Sequence, residues 1–392
     1  MMMKMNQKKT IAQCYYIFFV NGALALMIGS LLPYLRETYG IDYRIAGFLV
    51  SAHSIGNLCS SFLGGALPIW LGRKKTALLL CTSGVVAFLL MTVTGNPLLL
   101  ILAFFLTGIN RGAVSNFNNA IINDVSGGKA AALNLLHAFF CTGALLSPFV
   151  VLLFVRNSSA NWIFAAFLMA GAIATELAVI WRMTVPNNYP AKAENARNDW
   201  SFLRNKRFVI ACGILFSYMC AEQAINGWLV TYLKDTGIMS EEFSQIMASL
   251  LWGVILIGRL TSAALSTRIE KPKLLLANSI GYVAFFVLLI TARSSAPCIA
   301  GIIGIGFFMA GLYPTTIASI GDIAGRYPLA LSFVLTFAGA GAILMPSVVG
   351  VAAQHIGIYG GMSVIVVAVA VSFLFILWNY LNSRRVSKHP NL

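Results

Sequence analysis

Charge is scarce in this sequence, and acidic charge is scarcest of all. Asp, Glu, Lys and Arg make up 10% of its 392 residues, and only 12 of them are acidic. A soluble domain carries about 25% charged residues, so a water-borne globule is excluded. The seven cysteines never form a CxxC, and each falls within or at the end of an apolar run. They read as small buried hydrophobes, not as disulfides or metal ligands. The four histidines show no HExxH, and no GxxxxGK[ST] phosphate loop occurs, so ATP is not expected to act directly. Paired catalytic carboxylates and a Ser-His-Asp set are missing as well. Neither an enzyme nor a cofactor nor a metal is expected. The first apolar run is too long for a cleavable signal, and no small-residue cleavage site follows it.

What is there is apolar: 59% of the residues are hydrophobic. A spanning helix needs about 20 mostly apolar residues. Twelve such stretches are expected, at 11–35, 44–69, 76–95, 98–121, 130–155, 161–182, 208–233, 243–266, 273–292, 297–319, 328–352 and 358–381. The runs are long and do not alternate, which indicates helices and not a barrel. The expected class is an all-α membrane protein of two pseudo-symmetric six-helix halves. The longest polar stretch, residues 182–207, holds Pro186, Pro190 and mixed charge. It divides the chain into an N-terminal bundle (1–182), a cytoplasmic linker (183–207) and a C-terminal bundle (208–392).

The net charge of +15 lies in the loops and does not point to nucleic acid. Twenty of the 27 Lys and Arg fall on one side of the expected membrane. Five (Arg36, Arg44, Arg156, Lys234 and Arg293) fall on the other, and Arg111 and Arg259 lie inside spans. The positive-inside rule then places both termini in the cytoplasm; the expected location is a bacterial cytoplasmic (inner) membrane.

The costly residues are the polar ones within spans. A carboxylate well inside a span costs about 2.5–3.5 kcal/mol on insertion scales, and by default it marks function. Residues 218–232, YMCAEQAINGWLVTY, carry Glu222, Gln223, Asn226, Trp228 and Tyr232. Helical geometry puts Glu222 and Asn226 on one face, bordered by Gln223, with Trp228 and Tyr232 as a second pair. A carboxylate, a carboxamide and an aromatic plane are tools for gripping a polyol. Glu222 therefore stands as the candidate for substrate contact and for proton coupling, or else as a structural ion-pair member. Span four offers Arg111 and Asn118 on one face, with Asn110 and Val114 adjoining. Arg111 is the candidate partner of Glu222 across the pseudo-twofold axis; alternatively it grips a substrate carboxylate bidentately. Asn134 and His137 in span five, His53 and Asn57 in span two, and Asn21 in span one complete the candidates of the first half. In the second half Trp252 and Arg259 share a face. Arg259 reads as a structural pair with the nearby loop, and Glu176 as shallow, snorkelling or paired locally. Tyr313 next to Pro314 marks a kink whose freed carbonyls could face a cavity.

Residues 65–75, GALPIWLGRKK, join spans two and three. Gly65, Gly72, Arg73 and Lys74 match the cytoplasmic gate loop of the major facilitator superfamily, which this stretch resembles; Ile69 stands at its acidic position. Six spans plus six around a basic linker is also that superfamily's pattern. Residues 134–148 (NLLHAFFCTGALLSP), 221–232 (AEQAINGWLVTY), 257–260 (IGRL) and 311–316 (GLYPTT) resemble its fucose-permease-like branch. That resemblance implies a sugar or related polar solute, often carried with protons. Members of the branch often have an acid four positions before an Asn in span four; here that place is Val114, leaving Glu222 as the main titratable candidate. The Gly-Pro signature of drug antiporters is incomplete, with Gly143 and Ser147 before Pro148.

The expected function is a secondary transporter working by alternating access around a mid-membrane site, with one small solute and a co-transported H⁺ as partners, acting as a monomer in the lipid bilayer. A transporter of small organic anions using Arg111, a drug-type exporter and, more remotely, a non-transporting sensor are the alternatives.

Overall fold

A computed structural model describes residues 2–127, 130–185 and 200–388. Fourteen α-helices and no strand occur among them: α1 (Met2–Tyr39), α2 (Tyr43–Ala66), α3 (Pro68–Leu71), α4 (Arg73–Val93), α5 (Pro97–Ser126), α6 (Ala130–Val155), α7 (Trp162–Arg182), α8 (Lys206–Asp235), α9 (Glu241–Leu265), α10 (Lys271–Thr291), α11 (Ser295–Met309), α12 (Leu312–Ser319), α13 (Gly321–Arg326) and α14 (Pro328–Lys388). Eleven helical stretches are long and apolar enough to cross a membrane. The last of them holds two spans, because Gly357 at φ 76° interrupts α14. The twelve spans expected from the sequence are thereby accounted for. The expected linker between the bundles lies mostly outside the described residues.

Local chemistry sets the helix ends. Asp42 caps α2 by accepting from the Ile45 amide at 2.8 Å. Asn96 caps α5, with Pro97 at the first helical position, and Gly127 closes it in the left-handed conformation. Asn205 caps α8. The tenth span is broken into α11 and α12 around Gly311, three residues before Pro314. A side chain at Gly311 would meet the Ser262 hydroxyl and the Asn278 amide, so the break is also a point of close packing.

Two compact units form. Unit 1 comprises Met1–Ala191 with Glu241–Ser249; unit 2 comprises Lys192–Ser240 with Leu250–Leu392. Within unit 1, two helix pairs approach to backbone contact. A Cβ on Gly22 would lie 1.9 Å from the Phe140 carbonyl oxygen, and one on Gly143 1.9 Å from that of Phe19, so α1 and α6 touch through glycines. Gly56 and Gly108 do the same for α2 and α5, at 2.0 Å from Phe105 O and 1.9 Å from His53 O. Such contact needs residues without side chains and rewards close dispersion packing inside a lipid solvent. In α9, residues up to Ser249 also belong to unit 1. There Gln245 donates to the Ser30 carbonyl at 2.9 Å and lies 3.3 Å from the Tyr34 hydroxyl. Within unit 2, Gly341 brings α14 against α8, and Gly258 brings α9 against α11. Buried along most of its length, α8 is the central element of this unit.

Candidate functional site

Unit 1 holds one continuous polar chain. α2 and α5, drawn together at Gly108, put His53 between Thr107 and Arg111. The His53 Nδ1–Thr107 Oγ1 distance is 2.8 Å, and Arg111 Nη1 lies 3.3 Å from His53 Nε2. The Thr107 hydroxyl spends its one proton on the Phe104 carbonyl, at 2.6 Å. Toward His53 it can therefore only accept, so Nδ1 carries the ring proton and Nε2 is free to accept from Arg111. The order of donation runs Arg111, His53, Thr107, Phe104. Asn57 is half-buried one turn along α2, beside Gly112.

The remaining first-half candidates are more dispersed. Asn21 reaches across to α5 and donates to the Ser115 hydroxyl at 3.1 Å. Asn118 is fully buried and turns back on its own helix, donating to the Val114 carbonyl at 3.0 Å. His137 is exposed, edge-on to Phe18. The side chain of Asn134 lies outside the described residues. Asn110, expected beside Arg111, faces α4 instead and donates to the Cys81 carbonyl at 2.9 Å.

Unit 2 centres on Glu222. Its side chain is 7% exposed, and Tyr218, one turn earlier on α8, has its hydroxyl within hydrogen-bonding reach of the carboxylate. Tyr282 of α10 and Tyr313 of α12 also stand within the carboxylate's electrostatic reach, and Tyr313 packs on Tyr218 with ring centroids 6.1 Å apart. Arg259 acts on the same Tyr218 and Tyr313. Arg259, expected from the sequence as a partner of the neighbouring loop, thus also lies within electrostatic reach of the tyrosines around Glu222. Gln223 and Asn226 are half-buried next to Glu222 on α8, and Asn226 Oδ1 has no hydrogen-bond partner. Trp228 turns away from the cluster. Fully buried, it donates from its indole to the Pro346 carbonyl of α14 at 3.1 Å, and so holds α14 to α8. Tyr232 is likewise buried, edge-on to Tyr359. Trp252 is buried on α9.

The stretch expected to form the gate loop has its own ion pair. Ile69 is 63% exposed and pairs with nothing charged, whereas Arg73 forms an ion pair with Asp124 at the end of α5. Gly72 at φ 78° makes the turn from α3 into α4. Lys74 lies over the Trp181 ring at 5.9 Å, and no neighbour would obstruct a side chain at Gly65. Beneath this loop is a cavity of about 190 Å³ lined in part by Gly64, Pro68, Arg73, Thr76 and Asn116. None of Arg111, His53 or Glu222 lines it, so it is not the candidate solute site.

Sequence reasoning missed Thr107, Tyr218, Tyr282 and Asp124. Tyr218 was within reach of it, being four residues before Glu222 and so on the same helical face. Tyr282 gave no signal, because one tyrosine in an apolar span is unexceptional.

The Major Facilitator Superfamily family model matches residues 14–305 and 211–392. The glucose/galactose transporter of Brucella abortus biovar 1 (strain 9-941) is 24% identical over 362 residues, covering 90% of this chain and 81% of that protein. Among solved structures, the nucleoside transporter NupG aligns with a TM-score of 0.73 and 16% identity, over 95% of this chain and 98% of NupG. FucP, a transporter of the same superfamily in its outward conformation, aligns with a TM-score of 0.64 and 19% identity, over 94% of this chain and 98% of FucP. At these identities the structures show a shared fold.

Proposed function

Because the chain belongs to the Major Facilitator Superfamily, we propose that this transporter carries a neutral sugar together with a proton, by alternating access of its N-terminal (1–182) and C-terminal (208–392) bundles. The observation that carries this reading is Glu222, a buried carboxyl among three tyrosines and an arginine within one bundle. A sugar presents many hydroxyls, each both donor and acceptor, and an apolar ring face. Phenols, a carboxyl and the Asn226 amide offer the matching groups. Similarity to a glucose/galactose transporter supports the same substrate class. Glu222 takes the proton: neutralised, it tolerates its apolar surroundings; ionised, it calls for Arg259 or the tyrosine hydroxyls. The excess of Lys and Arg on one side supports cytoplasmic termini in a bacterial inner membrane.

The test is uptake of labelled glucose, galactose and fucose by the purified protein in liposomes, with and without an inward proton gradient. Wild type should accumulate one of them above equilibrium only with the gradient. Glu222→Gln, frozen as the neutral form, should exchange solute but not accumulate it. Accumulation that ignores the gradient would overturn proton coupling. Stabilisation of the protein by small carboxylates and by none of the sugars would move the assignment to an anion held by Arg111.

A further inference from the structure

Unit 1 contains a fully buried acidic group that the sugar–proton reading does not use. Glu176, expected to be shallow and to snorkel or pair locally, is fully buried on α7, and the one side chain within hydrogen-bonding reach of its carboxylate among the described residues is the Cys81 thiol. That thiol, on α4, is a weak donor. The Cys81 carbonyl accepts from Asn110 of α5, and the other end of that amide, Asn110 Oδ1, is buried without a partner. Gly84 lets the three helices meet: a Cβ there would lie 2.9 Å from Asn110 Cγ and 3.0 Å from Ile173 Cδ1, one turn before Glu176.

These three oxygens are all acceptors and the thiol beside them is a weak donor, so what this seam is short of is a strong donor. The charged groups of the surrounding helices are engaged elsewhere or exposed. On α4, Arg73 pairs with Asp124 of α5 and Lys74 lies over Trp181, while Lys75 is exposed. On α5, Arg111 is bonded to His53; on α7, Arg182 is exposed at the helix end; from α1, Tyr16 bonds Thr175. Three oxygens are too few for a hard divalent cation, which collects six or more. One proton on Glu176 does suffice, since it removes the buried charge and converts an acceptor into a strong donor.

We propose that Glu176 is a proton-binding site inside unit 1, distinct from Glu222, and that its proton holds the α4–α5–α7 seam closed. Loss of that proton leaves a bare carboxylate that must draw in water or push α7 off α4. The inference does not rest on the sugar–proton reading, and its test needs no solute.

Infrared spectra of the purified full-length protein at about pH 7, where exposed glutamates are ionised, should show a protonated-carboxyl band. That band should survive in Glu222→Gln and vanish in Glu176→Gln. Thermal unfolding supplies a second readout. The amide imitates the neutral acid at every pH. Wild type and Glu176→Gln should therefore run parallel in acid and diverge as pH rises, wild type losing stability. A carboxylate band alone at neutral pH in wild type, a spectrum that needs no variant to fold, would overturn the proposal; so would parallel curves throughout. Neither outcome would alter the expected loss of gradient-driven accumulation in Glu222→Gln.

Discussion

Gly108→Ala tests whether helix contact, and not the polar groups alone, sets the unit 1 cluster. The added Cβ would lie 1.9 Å from the His53 carbonyl oxygen and 2.7 Å from the Asn57 amide nitrogen. A carbon and a carbonyl oxygen need about 3.3 Å, so the shortfall is about 1.4 Å. Every atom in the way is backbone, and no rotamer change can relieve it; α2 must move off α5. Overpacking costs about 1–3 kcal/mol and sometimes more, and a clash confined to backbone belongs at the upper end, about 3 kcal/mol. For a unit of this size each kcal/mol shifts the melting temperature by about 2–4 °C, so a fall of roughly 6–12 °C is expected. The oxygen struck is that of His53 itself, so the Arg111–His53–Thr107 chain shifts with it and uptake should fall too. Gly171→Ala is the control. It sits exposed in the interior of α7 with nothing within 4 Å of the added carbon, so only helix propensity is at stake. It should stabilise by about 0.5–1 kcal/mol. The assay is thermal unfolding of the purified variants in one detergent. A Gly108→Ala protein that melts within about 2 °C of wild type, less than one kcal/mol would give, would refute the close approach of α2 and α5.

Other substitutions address single groups. Thr107→Val keeps the shape but removes the acceptor for His53 Nδ1–H; it should cost about 1–3 kcal/mol in thermal unfolding, and Thr107→Ser should restore it. Tyr282→Phe deletes a buried hydroxyl that has no partner in the protein; melting should stay within about 1 kcal/mol of wild type, so a weaker sugar-induced thermal shift would report lost solute contact. Outside the membrane spans, slight burial pushes the Asp322 carboxyl up, but the hydrogen bonds and charge of Arg207 outweigh it and hold the carboxyl below its ordinary range. A depressed carboxylate stabilises above its unfolded value, about 3.9, and the contribution is lost as pH falls through the native value. Asp322→Asn should therefore destabilise at neutral pH and match wild type in strong acid. The pair is half-exposed or more on both sides, so the difference should not exceed about 1 kcal/mol and should shrink in high salt.

The spans were legible because hydrophobicity and length are local properties of a sequence. Even the break between the last two spans fell where Gly357 takes up φ 76°. Depth and facing were less legible. Glu176 was expected to snorkel or pair locally because it lies six residues from the end of α7, yet it is fully buried, beside Cys81 of α4. Asn110 and Arg111 are neighbours in sequence but serve different helices, one facing Cys81 and the other His53. Trp228 carried the residue type of a sugar-stacking platform, but its indole is committed to Pro346. Asp124 could be counted as one of 12 acids, but its role as the partner of Arg73 depends on bringing the end of α5 under a loop some fifty residues earlier. In each case the deciding fact is a contact between helices, which helical periodicity cannot supply.

The two polar clusters differ in what they leave open, and this bears on where solute chemistry is expected. From Arg111 to Phe104 each donor in the unit 1 chain meets an acceptor, and the histidine proton is assigned by its neighbours. Such a chain suits a fixed donor with a defined direction. Around Glu222 the accounting stays incomplete: the Tyr282 hydroxyl and Asn226 Oδ1 are buried without partners. An unmet donor or acceptor costs about 1–3 kcal/mol, a penalty that a ligand hydroxyl can relieve. Substituting Asn226 or Tyr282 should therefore change which sugar is preferred, because each sugar presents a different set of hydroxyls to those atoms. Substituting His53 should instead weaken all sugars alike. A variant of His53 that switched preference while Asn226→Leu did not would reverse this division of labour.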